Sequence, residues 1–177
     1  MSESAFNEEQ RFSKNFVFPL VILISAFTIG ILGWGIIQQL ILHKPYGNHP
    51  VSDANLLLSC IFPVIIVLVV DWLLIKSKLV TEIDKEAIRY KFYPFILKER
   101  KIYWEEIEKA YVRKYKPLLE YGGWGIRLGI GGKGRALNIR GNYGLQLELT
   151  SGKSLLIGTQ KPEELEVFLG AIGKSEL

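Results

Sequence analysis

Two stretches of this chain are apolar without a break, and most of the chain beyond them alternates. Residues 16–42 run for 27 positions without one Asp, Glu, Lys or Arg, and residues 54–70 add 17 more before the apolar run resumes from Trp72 to Ile75. A helix of about 20 residues crosses a bilayer core of about 30 Å, so both stretches are long enough to span. The first is long enough to tilt. It is too long for a signal-peptide apolar core of about 7–15 residues, and no clean small-residue cleavage site follows it, so it reads as an uncleaved anchor. Between the two lies 43–53, with Pro45, Gly47, Asn48 and Pro50, which are turn residues. The expected organisation is an N-terminal tail over 1–15, spans over 16–42 and 54–75, a short connector over 43–53, and one domain over 76–177.

From Lys78 onward the period falls to two, the mark of half-buried strands. Leu79, Thr81 and Ile83 share one face, and Ile88, Tyr90 and Phe92 share another opposite Arg89 and Lys91. Leu145, Leu147 and Leu149 alternate with Gln146, Glu148 and Thr150, and after Ser151-Gly152 the apolar face continues at Leu155 and Ile157. The last pattern predicts an antiparallel hairpin over 144–150 and 153–158. Further strands are expected over 99–104, 109–115, 125–130 and 135–139. The chain then returns to helical spacing. Pro162 suits a first helical turn, Glu163 and Glu164 favour the positive end of the helix dipole, and Leu165, Phe168, Leu169 and Ile172 form one apolar stripe. The fold class expected is therefore α+β: a two-helix transmembrane hairpin, then seven or eight strands in a barrel or sandwich, closed by a C-terminal helix.

This order resembles a pleckstrin-homology-like (PH-like) antiparallel barrel. Arg100-Lys101-Ile102-Tyr103-Trp104-Glu105-Glu106-Ile107 is similar to the I-x-W-x-x-I element of bacterial PH-like domains. The segments YGGWGIR (121–127), GNYGLQLEL (141–149) and GKSLLIGTQKPEEL (152–165) look like a family of small, uncharacterised bacterial membrane proteins that join two N-terminal spans to one such domain. That resemblance implies a bacterial inner-membrane protein. It implies no activity, because PH-like folds bind lipid headgroups, peptides or proteins.

Charge sets the expected orientation. Arg11 and Lys14 precede the first span, the connector offers Lys44 alone, and Lys76, Lys78, Lys85, Arg89 and Lys91 follow the second span. Positive charge gathers on the cytoplasmic side, so both termini are expected there. Residues 76–101 hold eight Lys or Arg against four Asp or Glu. That excess favours an anionic lipid surface, at about 1 kcal/mol per cation. Nothing resembles a recognition helix or a zinc finger, so nucleic acid is not an expected partner.

Catalytic chemistry finds few residues to work with. His43 and His49, the only histidines, lie in the connector, and the one cysteine, Cys60, lies in the second span. The domain over 76–177 thus lacks the base of a Ser-His or Cys-His mechanism, and it lacks His and Cys ligands for zinc. Glu105, Glu106, Glu108, Glu163, Glu164 and Glu166 read as solvated faces. No catalytic residue, metal or cofactor is expected. Asp71 is a candidate intramembrane polar site, because charges inside spans are costly and often functional. Its position near the end of the second span favours contact with interfacial water, Lys76 or Lys78.

Nine glycines fall between Tyr121 and Gly144, and Gly129-Ile130-Gly131-Gly132-Lys133-Gly134 has the spacing G-x-G-x-x-G. A dinucleotide fingerprint requires a helix immediately after it. Here Leu137 and Ile139 alternate as a strand, so a hairpin tip is expected, at which exposed backbone N–H groups could cradle an anion. Arg127, Lys133, Arg135 and Arg140 are the candidate cations around that tip. Tyr121 and Trp124 flank the Gly122-Gly123 break, with core packing at a strand corner expected for Trp124 and a recognition surface as the second choice. The function expected is a noncatalytic, membrane-anchored module that recruits or assembles a protein partner. The alternatives are a sensor of anionic lipid headgroups and, least favoured, an enzyme or enzyme subunit.

Overall fold

The structure is a computed structural model, and it describes residues 5–49 and 51–174. The chain divides into two compact units. One is the helix pair from Ser13 to Lys76; the other joins the residues up to Phe12 with those from Ser77 onward.

In the helix pair, α1 (Lys14–Ile36) runs into a π-helical turn, Ile37–Ile41, and α2 (Asp53–Lys76) comes after the connector. Both helices are long and apolar enough to cross a membrane, and only 6% of each apolar window is buried. A core helix of a soluble protein would be mostly buried. Two polar residues of the pair, Gln39 and Asp71, are buried and hydrogen-bonded within it. Ser25 Oγ donates to Asp71 Oδ2 at 2.8 Å, joining α1 to α2. Gln39 Nε2 donates to the Val51 carbonyl at 2.7 Å and to Asp53 Oδ1 at 2.9 Å. Asp71 is 8% exposed, and among the described residues it forms no ion pair with Lys76. Five residues turn a helix by about 140°, so Asp71 and Lys76 occupy different faces of α2.

The second unit holds nine strands among the described residues. Eight lie where alternation predicts them: β2 (Lys78–Ile83), β3 (Ala87–Tyr93), β4 (Ile96–Tyr103), β5 (Ile107–Lys114), β6 (Gly125–Leu128), β7 (Arg135–Asn138), β8 (Tyr143–Leu149) and β9 (Ser154–Thr159). The ninth, β1 (Phe6–Arg11), comes from the segment expected to be a tail. It pairs antiparallel with β2, Phe6 opposite Ile83 and Arg11 opposite Lys78. The helix pair is therefore an insertion between two neighbouring strands of one sheet. The first sheet has the order β1-β2-β3-β4 and the second β5-β8-β9-β7-β6. The second departs from the antiparallel arrangement expected, because β7 adds to the edge of β9 in parallel, Arg135 opposite Leu155.

The core lies between the sheets. Leu79, Ile83, Ile88 and Phe92 meet Leu137, Leu145, Leu147 and Ile157. Helix α4 (Pro162–Ala171) closes it with Leu165, Phe168 and Leu169, as the apolar stripe requires. The short helix α3 (Pro117–Tyr121) was not expected. A second small cluster, Tyr115, Tyr121, Ala136 and Leu156, buries the opposite face of the second sheet. There Asn138 Nδ2 donates to the Tyr115 hydroxyl at 2.8 Å.

The register of the first sheet places three rows of side chains on its inner face. Phe6, Ile83, Ile88 and Ile102 form one, and Gln10, Leu79, Phe92 and Ile96 form another. The row between them is polar throughout: Glu8, Thr81, Tyr90 and Arg100. At one end, Glu8 accepts hydrogen bonds from Thr159 Oγ1 and the Gln160 amide, each at 2.7 Å, at the finish of β9. At the other end, Tyr90 lies beside Ser154 and Leu155, at the start of β9. Strand β9 thus runs across the strands of the first sheet.

Candidate functional site

Tyr90 opens into a groove of about 700 Å³, within the size range of small-molecule sites. Three parts of the β unit form it: β3 and β4 through Tyr90 and Ile102, the β6–β7 tip through Leu128 and Arg135, and the β8–β9 tip through Lys153 and Leu155. None of its lining residues is an Asp or Glu.

Period two explains why charge reaches this place. Arg135 lies two residues before Leu137 on β7, and Arg100 two before Ile102 on β4, so both cations take core-side positions at the mouth of the sandwich. Burial raises the Tyr90 phenol above its ordinary value, against the opposing pull of Arg135 and Arg100. Among the described residues, the side chains of Arg100, Arg135 and Lys153 enter no ion pair, and the Tyr90 hydroxyl makes no hydrogen bond. One place further along the polar row, Thr81 Oγ1 is buried without a hydrogen-bond partner. The site therefore offers donors and cations beside apolar walls, and no carboxylate to act as a base. It can hold an anion.

The four cations expected to act together are dispersed. Only Arg135 lines the groove. Arg127 Nε donates to the Trp124 carbonyl at 2.9 Å. Lys133 Nζ lies 3.2 Å from Glu120 Oε2, which also accepts from Arg113 Nη1 at 3.0 Å. Arg140 donates to Gln160 in a separate shallow pocket with Tyr143 and Pro162. Burial works against ionisation of Glu120, but the Lys116 amide, Lys133 and Arg113 outweigh it and hold the carboxyl below its ordinary value. Tyr121 is 2% exposed; its hydroxyl accepts from Arg113 Nη2 at 3.2 Å and contacts the Lys133 carbonyl. It packs edge-on against Tyr115, which makes it a core residue and not a recognition surface. Trp124 shows the reverse of the core packing expected for it. It is 38% exposed, with its indole N–H donating to the Gly141 carbonyl at 3.1 Å. Asp71 belongs to the helix pair and has no part in the groove.

Among the described residues, four of the eight cations in the basic stretch over 76–101 enter ion pairs. Lys78 pairs with Glu9, Arg89 with Asp84, and Lys91 and Lys101 with Glu99. What sequence reasoning passed over was Tyr90, Arg100 and Lys153. The available signal was a cation two residues from Ile102 on the apolar face of a strand.

The glycine tip is a structural turn. A short 3-10 turn spans Ile130–Gly132, Gly131 has φ +68° and Gly134 φ +77°, and the chain continues into β7 with no helix after it.

Fold and groove together define an α+β protein in which a pair of long apolar helices is inserted into a two-sheet domain with a cationic, partly apolar groove. The chain belongs to a family of unknown function, DUF6141, whose model matches residues 4–174. No curated protein matches it.

Proposed function

We propose that this is a noncatalytic, membrane-anchored binding protein. The helix pair crosses the bacterial cytoplasmic membrane as a hairpin and holds a PH-like domain at its inner face, where the domain gathers a membrane-associated partner. The single observation that carries this reading is the pairing of Arg11 with Lys78. Two residues separate β1 from α1, and one residue separates α2 from β2. Strands flanking an even number of spans can form one sheet only on one side of a membrane. The Lys and Arg counts around the spans favour the cytoplasm as that side. Two covalent connections, in place of one, restrict the domain to the surface, so a ligand of modest intrinsic affinity suffices.

A protein partner remains the broad form of this proposal. The groove favours a second form, in which the ligand is an anionic lipid, because it combines unpaired cations with apolar walls. Residues such as Arg100 and Lys153 on the domain surface supply the donors, and the lack of His and Cys in 76–177 weighs against an enzyme.

Single cysteines introduced at Asn7, His49 and Lys153 in a Cys60→Ser background test the arrangement. An impermeant thiol reagent applied to intact spheroplasts should label the His49 site alone, and the other two only after lysis. Labelling of the Asn7 or Lys153 site without lysis would overturn the topology. Photocrosslinking from Trp124 in cells then asks whether a protein is held there.

A further inference from the structure

We propose that the groove is a binding site for one anionic phospholipid, its phosphate held among Tyr90, Arg100, Arg135 and Lys153 and an acyl segment lying along Leu128, Leu149 and Leu155. The inference rests on the membrane-anchored reading above and names the ligand that reading leaves open.

The polar half of the site fits one compact anion. Tyr90 and Arg100 are direct cross-strand partners, which puts their Cβ atoms about 5 Å apart. Arg135 also acts on the Tyr90 hydroxyl, from the opposite sheet. Arg100, Arg135 and Lys153 are exposed and enter no ion pair among the described residues, so they are free to meet an anion, and guanidinium groups suit phosphate because they donate in pairs. An acidic peptide would bring carboxylates spaced along a strand, whereas Tyr90, Arg135 and Lys153 line a single groove and Arg100 stands beside Tyr90.

The apolar half excludes a bare headgroup or free phosphate as the whole ligand. Leu128 is 78% exposed at the rim, while Leu155 and Ile102 are buried in the floor. Arg135 and Leu155 are register partners on β7 and β9, so charge and apolar wall are contiguous. A surface with that sequence of properties suits an amphiphile. Phospholipid is the anionic amphiphile that a membrane-anchored domain meets at highest concentration.

The test uses the full chain in nanodiscs containing phosphatidylglycerol with a photoactivatable acyl chain, and the matching phosphatidylcholine probe as control. Crosslinked peptides are mapped by mass spectrometry. Phosphatidylglycerol should label the segments around Leu128–Arg135 and Leu149–Leu155, and phosphatidylcholine should label them far less. An Arg100→Gln/Arg135→Gln variant should lose about tenfold of that labelling or more, the effect of removing a charge-assisted contact. Arg100→Lys/Arg135→Lys should retain most of it. Tryptophan-fluorescence melting verifies that both variants are folded. Equal labelling by the two lipids, or labelling indifferent to the Gln variant, would overturn the site. Loss of labelling in millimolar inorganic phosphate would reassign it to a free anion, and displacement by an acidic peptide to a protein ligand. A chain that passes the thiol-labelling test yet fails here retains its anchored topology and loses only the lipid.

Discussion

Replacing Gly134 with alanine separates the two demands that the glycine tip meets. Gly134 sits at φ +77°, and a Cβ there would fall within contact distance of the Ser154 carbonyl oxygen and 2.7 Å from its carbon. Both obstacles are backbone, at the start of β9, and cannot rotate away. Gly131 has nearly the same backbone, φ +68°, but a Cβ there meets nothing within 4 Å. Left-handed strain costs an L-residue about 1–2 kcal/mol, and forcing an extra carbon into a packed site adds about 1–3 kcal/mol. Gly131→Ala should carry only the first cost, and Gly134→Ala both, about 3 kcal/mol together.

The assay is thermal unfolding of the detergent-solubilised full chain, followed by tryptophan emission. Trp104 reports on the β unit because it is buried, with its indole N–H bonded to the Asp84 carbonyl at 2.8 Å. A loss of 1 kcal/mol lowers Tm by about 4–8 °C for a domain near 100 residues. Gly134→Ala should therefore melt about 12 °C or more below the parent, and Gly131→Ala about half as far below. Equal midpoints for the two variants would refute the close-approach argument, and a parent-like Gly134→Ala would refute the turn geometry as well. Neither result depends on a nucleotide, which is the difference between this tip and a cofactor loop of the same spacing.

Three further outcomes rest on single groups and a fourth on one strand. Burial pushes the Tyr115 hydroxyl up to about 12, against the Asn138 hydrogen bond; its stabilising effect is full below the ordinary phenol value and is lost as pH rises through about 12, so absorbance titration should show one tyrosine ionising only as the fold melts. Burial opposes ionisation of Asp84, but Arg89 and the Ala87 and Glu86 amides prevail and lower its carboxyl; that stability is present above the ordinary Asp value of about 4 and is lost as pH falls below it, so Asp84→Asn should flatten the acid limb of a Tm–pH curve. Ser25→Ala should weaken the helix pair by about 0.6–1.7 kcal/mol, the measured scale of interhelical hydrogen bonds, read as a lower unfolding force in single-molecule pulling from a bilayer. Removing residues 5–11 should abolish cooperative melting of the β unit, because truncating a buried Phe alone costs about 3–5 kcal/mol and Phe6 is a core side chain.

β2 was legible because it has one dry face, which alternation records directly, and β7, β8 and β9, though buried on both faces, keep Leu137, Leu145, Leu147, Leu155 and Ile157 at alternate positions toward the core. The C-terminal helix was legible for the same reason at its own period. β1 was not, because its inner positions are Phe6, Glu8 and Gln10, so a single apolar residue marks the buried face. The groups that satisfy the other two are far away in sequence: Thr159 and Gln160 for Glu8, and the Gly158 carbonyl for Gln10. No local pattern carries that information. The groove was half legible. Its glycine tip and Arg135 stand in one short motif, but Lys153 joins it from the β8–β9 tip, Arg100 stands beside it only as the cross-strand partner of Tyr90, and Lys133 and Arg140 leave it through Glu120 and Gln160.

The polarity that hid β1 also has a physical use in this topology. β1 is made first, yet its partner β2 begins at Lys78, after both apolar helices, and its bonds to β9 must wait for Gly158–Gln160. A conventional strand of alternating Val and Ile would spend that interval as an exposed, sticky segment. Asn7-Glu8-Glu9-Gln10-Arg11 can remain hydrated until its place in the sheet exists. The burial of Glu8 and Gln10 is then offset by specific bonds to β9, which admit only the correct register, since a shift of one residue would point Asn7 and Glu9 at the core. Specificity that a hydrophobic strand takes from its pattern is here taken from hydrogen bonds made last. The two apolar helices can thus be inserted between adjacent strands without leaving an aggregation-prone edge while the rest of the chain is made.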